Sequence, residues 1–361
     1  MKYSRKQIDK AGDILISSKD IEKVERATTM INDWRSHHLL VLDILKSAIT
    51  DILSHHEIIP LFSSNRLKRM TSIIYKLDLN PEMHLGGMHH DIGGLRFVLT
   101  DMDILNKTFD ILKKNIPNDF SIHKIYNYIE FPKESGYRSI HLVYKYQSEN
   151  KIYNGLKVEL QIRTKLQHNW ATAVETGGLA TKTSLKSSQG DNKWLLFFKV
   201  VSSLFAIKEK MPVLKEFEKY SMERLMTFCY KHDEQYKITD TLKALRLTLK
   251  HVEDTKYDKE LYLIVIRFDK GIVNIKGFDA TQTEDATNEY AQEEQSAVES
   301  KKAVVLVSVD NIKNLREAYP SYFLDTSEFI DVLERIRENC VKRGYIQINE
   351  IDITNDNCTK N

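Results

Sequence analysis

A strict alternation of polar and apolar side chains at residues 157–163 constrains the fold of this chain more than any other feature. Val158, Leu160 and Ile162 would face one side of an extended strand. The polar residues between them would face the other side: Lys157, Glu159, Gln161 and Arg163. A polar face this rich predicts a strand that borders a ligand cleft. An edge strand with a solvated face is the alternative.

Further strands and helices are predicted on both sides of this strand. Strands are expected near residues 92–99, 120–130 and 138–146. Helices are expected as a pair within 3–58, with Ser36 capping the second, and at 66–77, at 103–115, from 164 and over most of 193–256. Residues 176–192, rich in Gly, Ser and Thr, predict a surface loop. The mixture predicts an α+β fold with a mixed β-sheet flanked by helices.

A second unit is predicted to begin near residue 260. Segments 261–268 and 272–278 flank Asp269-Lys270-Gly271, which is typical of a hairpin. A helical stretch at 280–299, a strand at 303–309 and a helix at 326–338 follow. We therefore expect one domain at 1–255 and a smaller α+β domain at 256–361.

Composition narrows the class of protein. Of the 361 residues, 42% are hydrophobic and 29% are charged, which is typical of a globular chain with a real core. No apolar run reaches transmembrane length, and the charged N-terminus is not followed by the apolar stretch of a secretory signal. The three cysteines lack paired spacing, so free thiols and a cytoplasmic location without membrane contact are expected.

Cations cluster between residues 66 and 76. On a helix, Arg66 and Lys76 would lie close to one stripe, with Lys68 and Ser72 beside it. Several cations on one cleft wall suit a triphosphate, whose charge must be neutralised as the transferred group departs. A solvated basic helix face is the alternative.

Two carboxylates are candidate metal ligands. Asp91 precedes an apolar strand that contains Gly93-Gly94 and Arg96, and Glu159 lies on the polar face of its strand. Together they would hold Mg²⁺ beside phosphates, and Glu159 would also be able to accept the proton of an attacking hydroxyl. The alternative for Asp91 is that it caps the strand entrance.

The segment 133–141 carries a candidate base-binding residue. Gly136 allows a tight loop, from which Tyr137 would project and stack on a base. Lys133, Arg138 and His141 surround it in the sequence. A tyrosine packed in the core at a strand entrance is the alternative.

The order and spacing of these motifs resemble the synthetase domain of RelA/SpoT-type alarmone synthetases, which has a nucleotidyltransferase-like fold. The matching pieces are RLKRMTSIIYKL, DIGGLR, ESGYRSIHLVY and VELQIRTKLQHNWATAVE, within about residues 35–200. The resemblance implies transfer of pyrophosphate from Mg-ATP to a 3′-hydroxyl. It implies ATP contacts for Arg66, Lys68, Ser72, Lys76 and Arg96, metal and catalytic roles for Asp91 and Glu159, and acceptor contacts for Lys133, Tyr137, Arg138, His141, Gln161 and Arg163. The fewer than seventy residues before Arg66 are too few for the hydrolase domain of long members.

Two acceptors remain open, because the chemistry at the 3′-hydroxyl is the same. One is GDP or GTP, and the other is the 3′-terminal adenosine of tRNA, whose modification would stop translation. The whole chain resembles the CapRel-type fused toxin–antitoxin enzymes, in which a C-terminal pseudo-zinc-finger domain inhibits the synthetase and senses a phage capsid protein. By that resemblance, Tyr319 and Tyr322 are the inhibitory Tyr-x-x-Tyr pair, and tRNA is the expected acceptor. Packing of both tyrosines within the small domain is the alternative.

Two charged stretches are candidate contact surfaces. The helical stretch at 280–299 is acidic and lacks Lys and Arg, and we expect it to be a solvated helix rather than a docked one. The basic N-terminus and residues 35–38 would be able to touch an RNA acceptor stem, with solvation as the equal alternative. A synthetase-like scaffold that binds nucleotide without turnover is a further alternative, disfavoured because both Asp91 and Glu159 are present.

Overall fold

The computed structural model describes residues 3–80, 82–88, 90–181, 185, 190–246, 250–253, 259–267, 270–297, 302–309, 315–323 and 325–345. Its contacts divide the chain into two compact units. The sheet unit comprises residues 1–126, 140–164 and 249–322. The helical unit comprises residues 127–139, 165–248 and 323–361.

The sheet unit begins with helices whose ends are set by local capping. Helix α1 (Arg5–Ser17) starts with a capping box, since Ser4 and Gln7 exchange side-chain and main-chain hydrogen bonds. Helix α2 (Ile21–His55) is capped by Asp20. Two helices are present in 3–58, as predicted, but the expected cap is wrong. The Ser36 hydroxyl donates to the Asp33 carbonyl inside the continuous helix α2 and caps no helix.

The remaining elements of the sheet unit are strands and helices. In chain order they are β1 (Phe62–Leu67), α3 (Met70–Leu79), α4 (Leu85–Met88), β2 (Gly93–Leu99), α5 (Met102–Lys114), β3 (Phe120–Asn127), β4 (Ile140–Tyr146), β5 (Lys157–Thr164), β6 (Lys250–Glu253), β7 (Leu261–Arg267), β8 (Ile272–Phe278), α10 (Thr283–Ala297), β9 (Lys302–Val309) and α11 (Leu315–Ala318). The described strands form one nine-stranded sheet of order β3-β4-β5-β2-β1-β9-β7-β8-β6. Strand pairs β2–β5 and β6–β8 are parallel, and β1–β2, β4–β5, β1–β9, β7–β8 and β7–β9 are antiparallel. A mixed sheet flanked by helices is confirmed.

Strand β1 corrects the predicted helix at 66–77. Arg66 and Leu67 are the last residues of this strand, and α3 begins only at Met70. Ser63, Ser64 and Asn65 have weak strand propensity, but β2 and β9 pair with this segment on its two sides. The hydrogen-bonding partners therefore decide the conformation, and they come from distant parts of the chain.

Strands from the C-terminal third belong to the same sheet as β1. In the antiparallel β1–β9 ladder, Arg66 lies opposite Val307. The sheet unit and the helical unit therefore do not meet at the predicted boundary between residues 255 and 256. Sequence composition marks the change from helices to strands near residue 260, but the pairing of β9 with β1 depends on an open strand edge that local sequence does not reveal.

The helical unit contains α6 (Lys165–Thr181), α7 (Asn192–Lys208), α8 (Met222–Tyr236), α9 (Ile238–Arg246) and α12 (Ser327–Lys342). Its core is rich in aromatic rings, including Trp170, Phe197, Phe198 and Phe329. Helix α6 runs to Thr181, so the predicted surface loop at 176–192 is wrong over its first residues. The free thiols of Cys229 and Cys340 are confirmed, and Cys358 lies outside the described residues.

Several C-terminal predictions hold within a few residues. The hairpin of β7 and β8 is confirmed as an antiparallel pair, as are the positions of α10, β9 and α12. Strand β6 occupies 250–253, where a helix was predicted. Within the described ranges, every helix lacks the length or the apolar content that crossing a bilayer requires.

Candidate functional site

The strand register collects polar side chains on one face of the sheet. Arg66 lies opposite Gly94 in the β1–β2 ladder, and Gly94 lies opposite Glu159 in the β2–β5 ladder. The row two residues along each strand joins Ser64, Arg96, Gln161 and His141. Because residues two apart on a strand share a face, both rows project from the same side of the sheet.

Gly94 leaves a gap in the middle of this polar face. A β-carbon at Gly94 would meet only the Arg66 carbonyl oxygen within 4 Å, at 3.9 Å, whereas one at Gly93 would lie 3.1 Å from side-chain atoms of Leu42 and Val158. Gly93 therefore serves packing against α2, and Gly94 keeps the space between Arg66 and Glu159 open.

Asp91 lies at the entrance of β2 and is paired with two lysines. Lys68, just after β1, contacts one carboxylate oxygen, and the Lys76 ammonium on α3 lies 3.2 Å from the other. Burial lowers the pKa of Lys68, Asp91 opposes this, and the charges of Lys76 and Arg66 lower it further. Three cations thus lie within electrostatic reach of one another at this end of the face.

Glu159 is almost fully buried and has two partners of its own. The His141 Nδ1 lies 3.0 Å from one carboxylate oxygen, and the Gln161 amide donates to the other at 2.7 Å. Burial raises the pKa of Glu159 and so does the nearby charge of Asp91, but His141 and Gln161 prevail and hold it below its usual value. The carboxylate is therefore ionised at neutral pH.

Tyr319 occupies the same face of the sheet. Its hydroxyl donates to the Asn65 carbonyl oxygen at 2.5 Å, and Arg96 donates to the carbonyl oxygen of Ala318 at 3.4 Å. Burial raises the pKa of Tyr319 to about 12, although Arg96, Ser64 and Arg66 act in the opposite direction. Tyr322 packs against the Tyr319 ring edge at a centroid distance of 6.3 Å.

With Tyr319 in place, little space remains. The cavity measures about 30 Å³ and is lined by Ser64, Arg66, Lys68, Asp91, Gly94, Leu95, Arg96, Glu159, Gln161 and Tyr319. A water needs at least about 10–15 Å³ of such space, and small-molecule sites span about 300–1,000 Å³. The cavity therefore has room for a couple of waters and not for a nucleotide.

The site thus gathers most of the residues expected to bind ATP and metal. Arg66, Lys68, Asp91, Arg96, Glu159 and Gln161 line the cavity, while Lys76 and His141 contact its carboxylates. Ser72 on α3 is partly buried and does not line it. Arg163 is buried farther along β5 and does not line it either.

Three expected acceptor residues belong to the helical unit. The expectation that Tyr137 projects from its loop is wrong, because the ring is 4% exposed and packs in the core with Trp170. Arg138 is also buried, donating to the Ile129 carbonyl oxygen at 3.0 Å and to the Ser202 hydroxyl at 3.3 Å. Lys133 is exposed, with its ammonium 5.4 Å from the Tyr137 ring centroid.

The donor set fits a magnesium ion that is held partly by substrate. Within the described ranges, no group of three or more His, Cys, Asp or Glu side chains is arranged to hold a metal. Asp91 and Glu159 nonetheless lie on one cavity, and one or two carboxylates with substrate phosphates are the usual Mg²⁺ set. The Asp91 carboxylate is contacted by the ammonium groups of Lys68 and Lys76, so it already stabilises positive charge at this position.

Sequence reasoning missed other parts of the site. Ser64 and Leu95 line the cavity, and the Asn65 carbonyl binds Tyr319. The signal for Ser64 is its spacing of two from Arg66, which becomes informative only once β1 is known to be a strand. Arg35, expected as a possible RNA contact, is instead 2% exposed and pairs with Glu294.

Comparisons with known proteins place the site in a family. The family model described as "Region found in RelA / SpoT proteins" matches residues 65–188. The GTP pyrophosphokinase YwaC of Bacillus subtilis is 30% identical over 162 residues, which cover 40% of this chain and 74% of that protein. The GTP pyrophosphokinase YjbM of the same organism is 35% identical over 115 residues, covering 31% and 53% respectively.

A crystal structure of small alarmone synthetase 2 from Bacillus subtilis aligns with a TM-score of 0.42 and 22% identity, over 50% of this chain and 94% of that one. The family match begins at Asn65 in β1 and takes in Asp91 and Glu159, while Tyr319 lies beyond it. Because YwaC is 30% identical to this chain over 74% of its own length, the chain belongs to the RelA/SpoT family and is an ATP-dependent pyrophosphotransferase.

Proposed function

We propose that this enzyme moves the β,γ-pyrophosphate of Mg-ATP to the 3′-hydroxyl at the terminal adenosine of tRNA, and that its own Tyr319 segment blocks the ATP site. The observation that carries the proposal is the position of Tyr319 in a cavity lined by Arg66, Arg96 and both carboxylates. A phenol ring there denies the space to a nucleotide.

The residues of the cleft suit pyrophosphate transfer. Lys68, Arg66 and Lys76 would neutralise the triphosphate, and Asp91 with Glu159 would hold Mg²⁺, which polarises the phosphates when bound. The acceptor oxygen attacks the β-phosphorus, the bond to the α-phosphate oxygen breaks, and AMP leaves. Glu159, ionised and buried, would accept the proton of the attacking hydroxyl.

The identity of the acceptor is a separate part of the proposal. The resemblance of the whole chain to fused toxin–antitoxin enzymes supports the tRNA end, and pyrophosphorylation there would stop aminoacylation and hence translation. GDP or GTP is the second candidate, because the two Bacillus subtilis relatives are named GTP pyrophosphokinases.

The position of Tyr319 in the cavity also supports a proposal about regulation. We propose that the chain is a self-inhibited, cytoplasmic anti-phage toxin whose C-terminal part, similar to a pseudo-zinc-finger, is displaced by a phage protein such as a capsid protein. Such a trigger acts only if it binds the open arrangement more tightly than the closed one. The contacts of Tyr319 with Asn65 and of Ala318 with Arg96 would be broken in that step.

One labelling experiment tests the proposal. ATP labelled at the γ-phosphate is incubated with bulk tRNA, GDP or GTP and either wild type or Tyr319→Ala. We expect label at the tRNA 3′ end and matching AMP release, faster with Tyr319→Ala. Label on the guanosine nucleotides alone would replace the tRNA proposal by the second candidate. Equal rates for the wild type and Tyr319→Ala would contradict the proposal that Tyr319 inhibits the enzyme.

A further inference from the structure

Two buried charged residues from distant elements hold the turn that presents Lys68. Arg35 on α2 donates through Nη2 to the main-chain oxygen of Lys68 at 2.6 Å. Glu294 on α10 accepts from the main-chain N–H of Met70 at 2.8 Å. The two side chains join each other at 2.9 Å, so both main-chain groups of the turn bind one ion pair.

The turn needs these partners because helix α3 lacks a cap of its own. Its N-cap residue is Arg69, whose side chain does not cap the helix. The first N–H groups of a helix have no partner within it, and a carboxylate is favoured there by the helix dipole. Glu294 therefore supplies from another element the cap that the local sequence omits.

Tyr290 completes the arrangement. Its hydroxyl accepts from Arg35 at 2.9 Å and donates to Glu294 at 2.9 Å, and its ring lies 5.1 Å from the guanidinium carbon. The Arg35 and Glu294 side chains are only 2% and 7% exposed. Removing one member of such a pair leaves the other as an unpaired buried charge, so the geometry of the turn depends on both.

The conformation of this turn affects the cleft, because it determines where Lys68 and Lys76 lie. The Lys68 ammonium contacts Asp91, and α3 carries Lys76, whose ammonium contacts the same carboxylate. Rotating the main chain at 68–70 would displace both cations from Asp91. The acidic stretch was expected to be a solvated helix, but α10 packs within the sheet unit and buries Glu294 against Arg35.

We infer that Glu294, acting through Arg35 and the cap of α3, is a positioning residue that sets Lys68 and Lys76 for the ATP phosphates. The inference rests on the proposed role of Lys68 in binding ATP. It places α10 in the working structure of the synthetase, in addition to the inhibitory segment that follows it in the chain.

The test compares Glu294→Gln, Glu293→Gln and Lys68→Ala, each in the Tyr319→Ala background. Glu293 is the matched control, since it lies on the same helix but pairs with Arg267 and Lys302. We expect Glu294→Gln to raise the KM for ATP about tenfold with an unchanged KM for the acceptor, because small misplacements of positioning groups cost up to about a hundredfold. Glu293→Gln should leave both constants unchanged.

The outcomes distinguish a positioning role of Glu294 from the proposed ATP-binding role of Lys68. A fall in melting temperature with an unchanged KM for ATP would make Glu294 purely structural and overturn the inference. If Lys68→Ala also leaves the KM for ATP unchanged, the proposed role of Lys68 fails as well. Should Glu294→Gln not fold, Tyr290→Phe decides, since it keeps the ring and removes only the shared hydroxyl. We then expect a smaller rise in the KM for ATP, and no rise overturns the inference.

Discussion

The hydroxyl of Tyr319 donates to the main-chain oxygen of Asn65 at 2.5 Å, although the two residues lie 254 positions apart. The contact joins a residue outside the family match to the strand at which that match begins. It fixes the aromatic ring beside Arg66, Arg96 and the two carboxylates of the cleft.

Loss of this hydrogen bond should partly release the enzyme. Tyr319→Phe keeps the ring but removes a bond worth about 1 kcal/mol, so basal AMP release should rise about fivefold. Tyr322→Phe is the control, because the Tyr322 ring would still pack against Tyr319. Equal increases in the two variants would show that the Asn65 contact does not hold the closed state.

Both carboxylates of the cleft should be essential for transfer. Asp91→Asn and Glu159→Gln in the Tyr319→Ala background should each lower AMP release by about a hundredfold or more, since each removes a metal ligand or base. Asp103→Asn, at an exposed position in the first turn of α5, is the control. Near-normal release by a folded Asp91 or Glu159 variant would take that residue out of the chemistry.

The pairing of His141 with Glu159 should set the acid limit of activity. In wild type, His141 and Gln161 hold the pKa of Glu159 below its usual value, so the carboxylate stays ionised as the pH falls. His141→Gln should raise that pKa and move the acid limb of the rate profile to higher pH. His123→Gln, at an exposed position of strand β3, should leave the limb in place. An unmoved limb in His141→Gln would mean that another group controls it.

The adjacent glycines of β2 should respond differently to substitution. Gly94→Val should fold normally but fill the space between Arg66 and Glu159, so binding of a non-hydrolysable ATP analogue by the Tyr319→Ala protein should be lost. Gly93→Ala should lower the free energy of unfolding by about 1–3 kcal/mol, because its new methyl would crowd Leu42 and Val158. Calorimetry and thermal unfolding separate the two effects. Tight analogue binding by Gly94→Val would mean that nucleotide does not use this gap.

His38 should make the free energy of unfolding fall at acid pH. Burial lowers the pKa of His38 to about 4, against about 6.5 in the unfolded chain. The unfolded state therefore binds more protons between these values, and stability is lost as the pH falls from about 6.5 towards 4, by about 3 kcal/mol. Denaturant unfolding of His38→Gln should show a weaker dependence in this window. A dependence equal to that of the wild type would mean that His38 is not the group responsible.

Much of the site could be predicted from residue types alone. The alternation at 157–163 predicted β5 and its polar face with Glu159, and the apolar segment after Asp91 predicted β2. These predictions hold because side-chain alternation and apolar runs are local properties of the sequence. Lys68 and Arg66 were also singled out, but on the wrong element.

The failures share a physical cause. Arg66 was expected on a helix, and residues 280–299 were expected to be solvated. Whether β1 is a strand depends on β2 and β9, and whether Glu294 is buried depends on Arg35. These partners lie tens to hundreds of residues away, so no local pattern encodes them.

The sequence by itself determined the chemistry at this site: which cations and carboxylates exist, and on which alternating positions they fall. Only the tertiary structure decided that strands from the C-terminal third extend the same sheet and that Tyr319 lines the cavity that holds Asp91 and Glu159. Alternation sets the direction of a side chain within its own strand. Strand order and buried pairing are set by the free energy of contacts between segments that are remote in sequence, and these exist only in the folded chain.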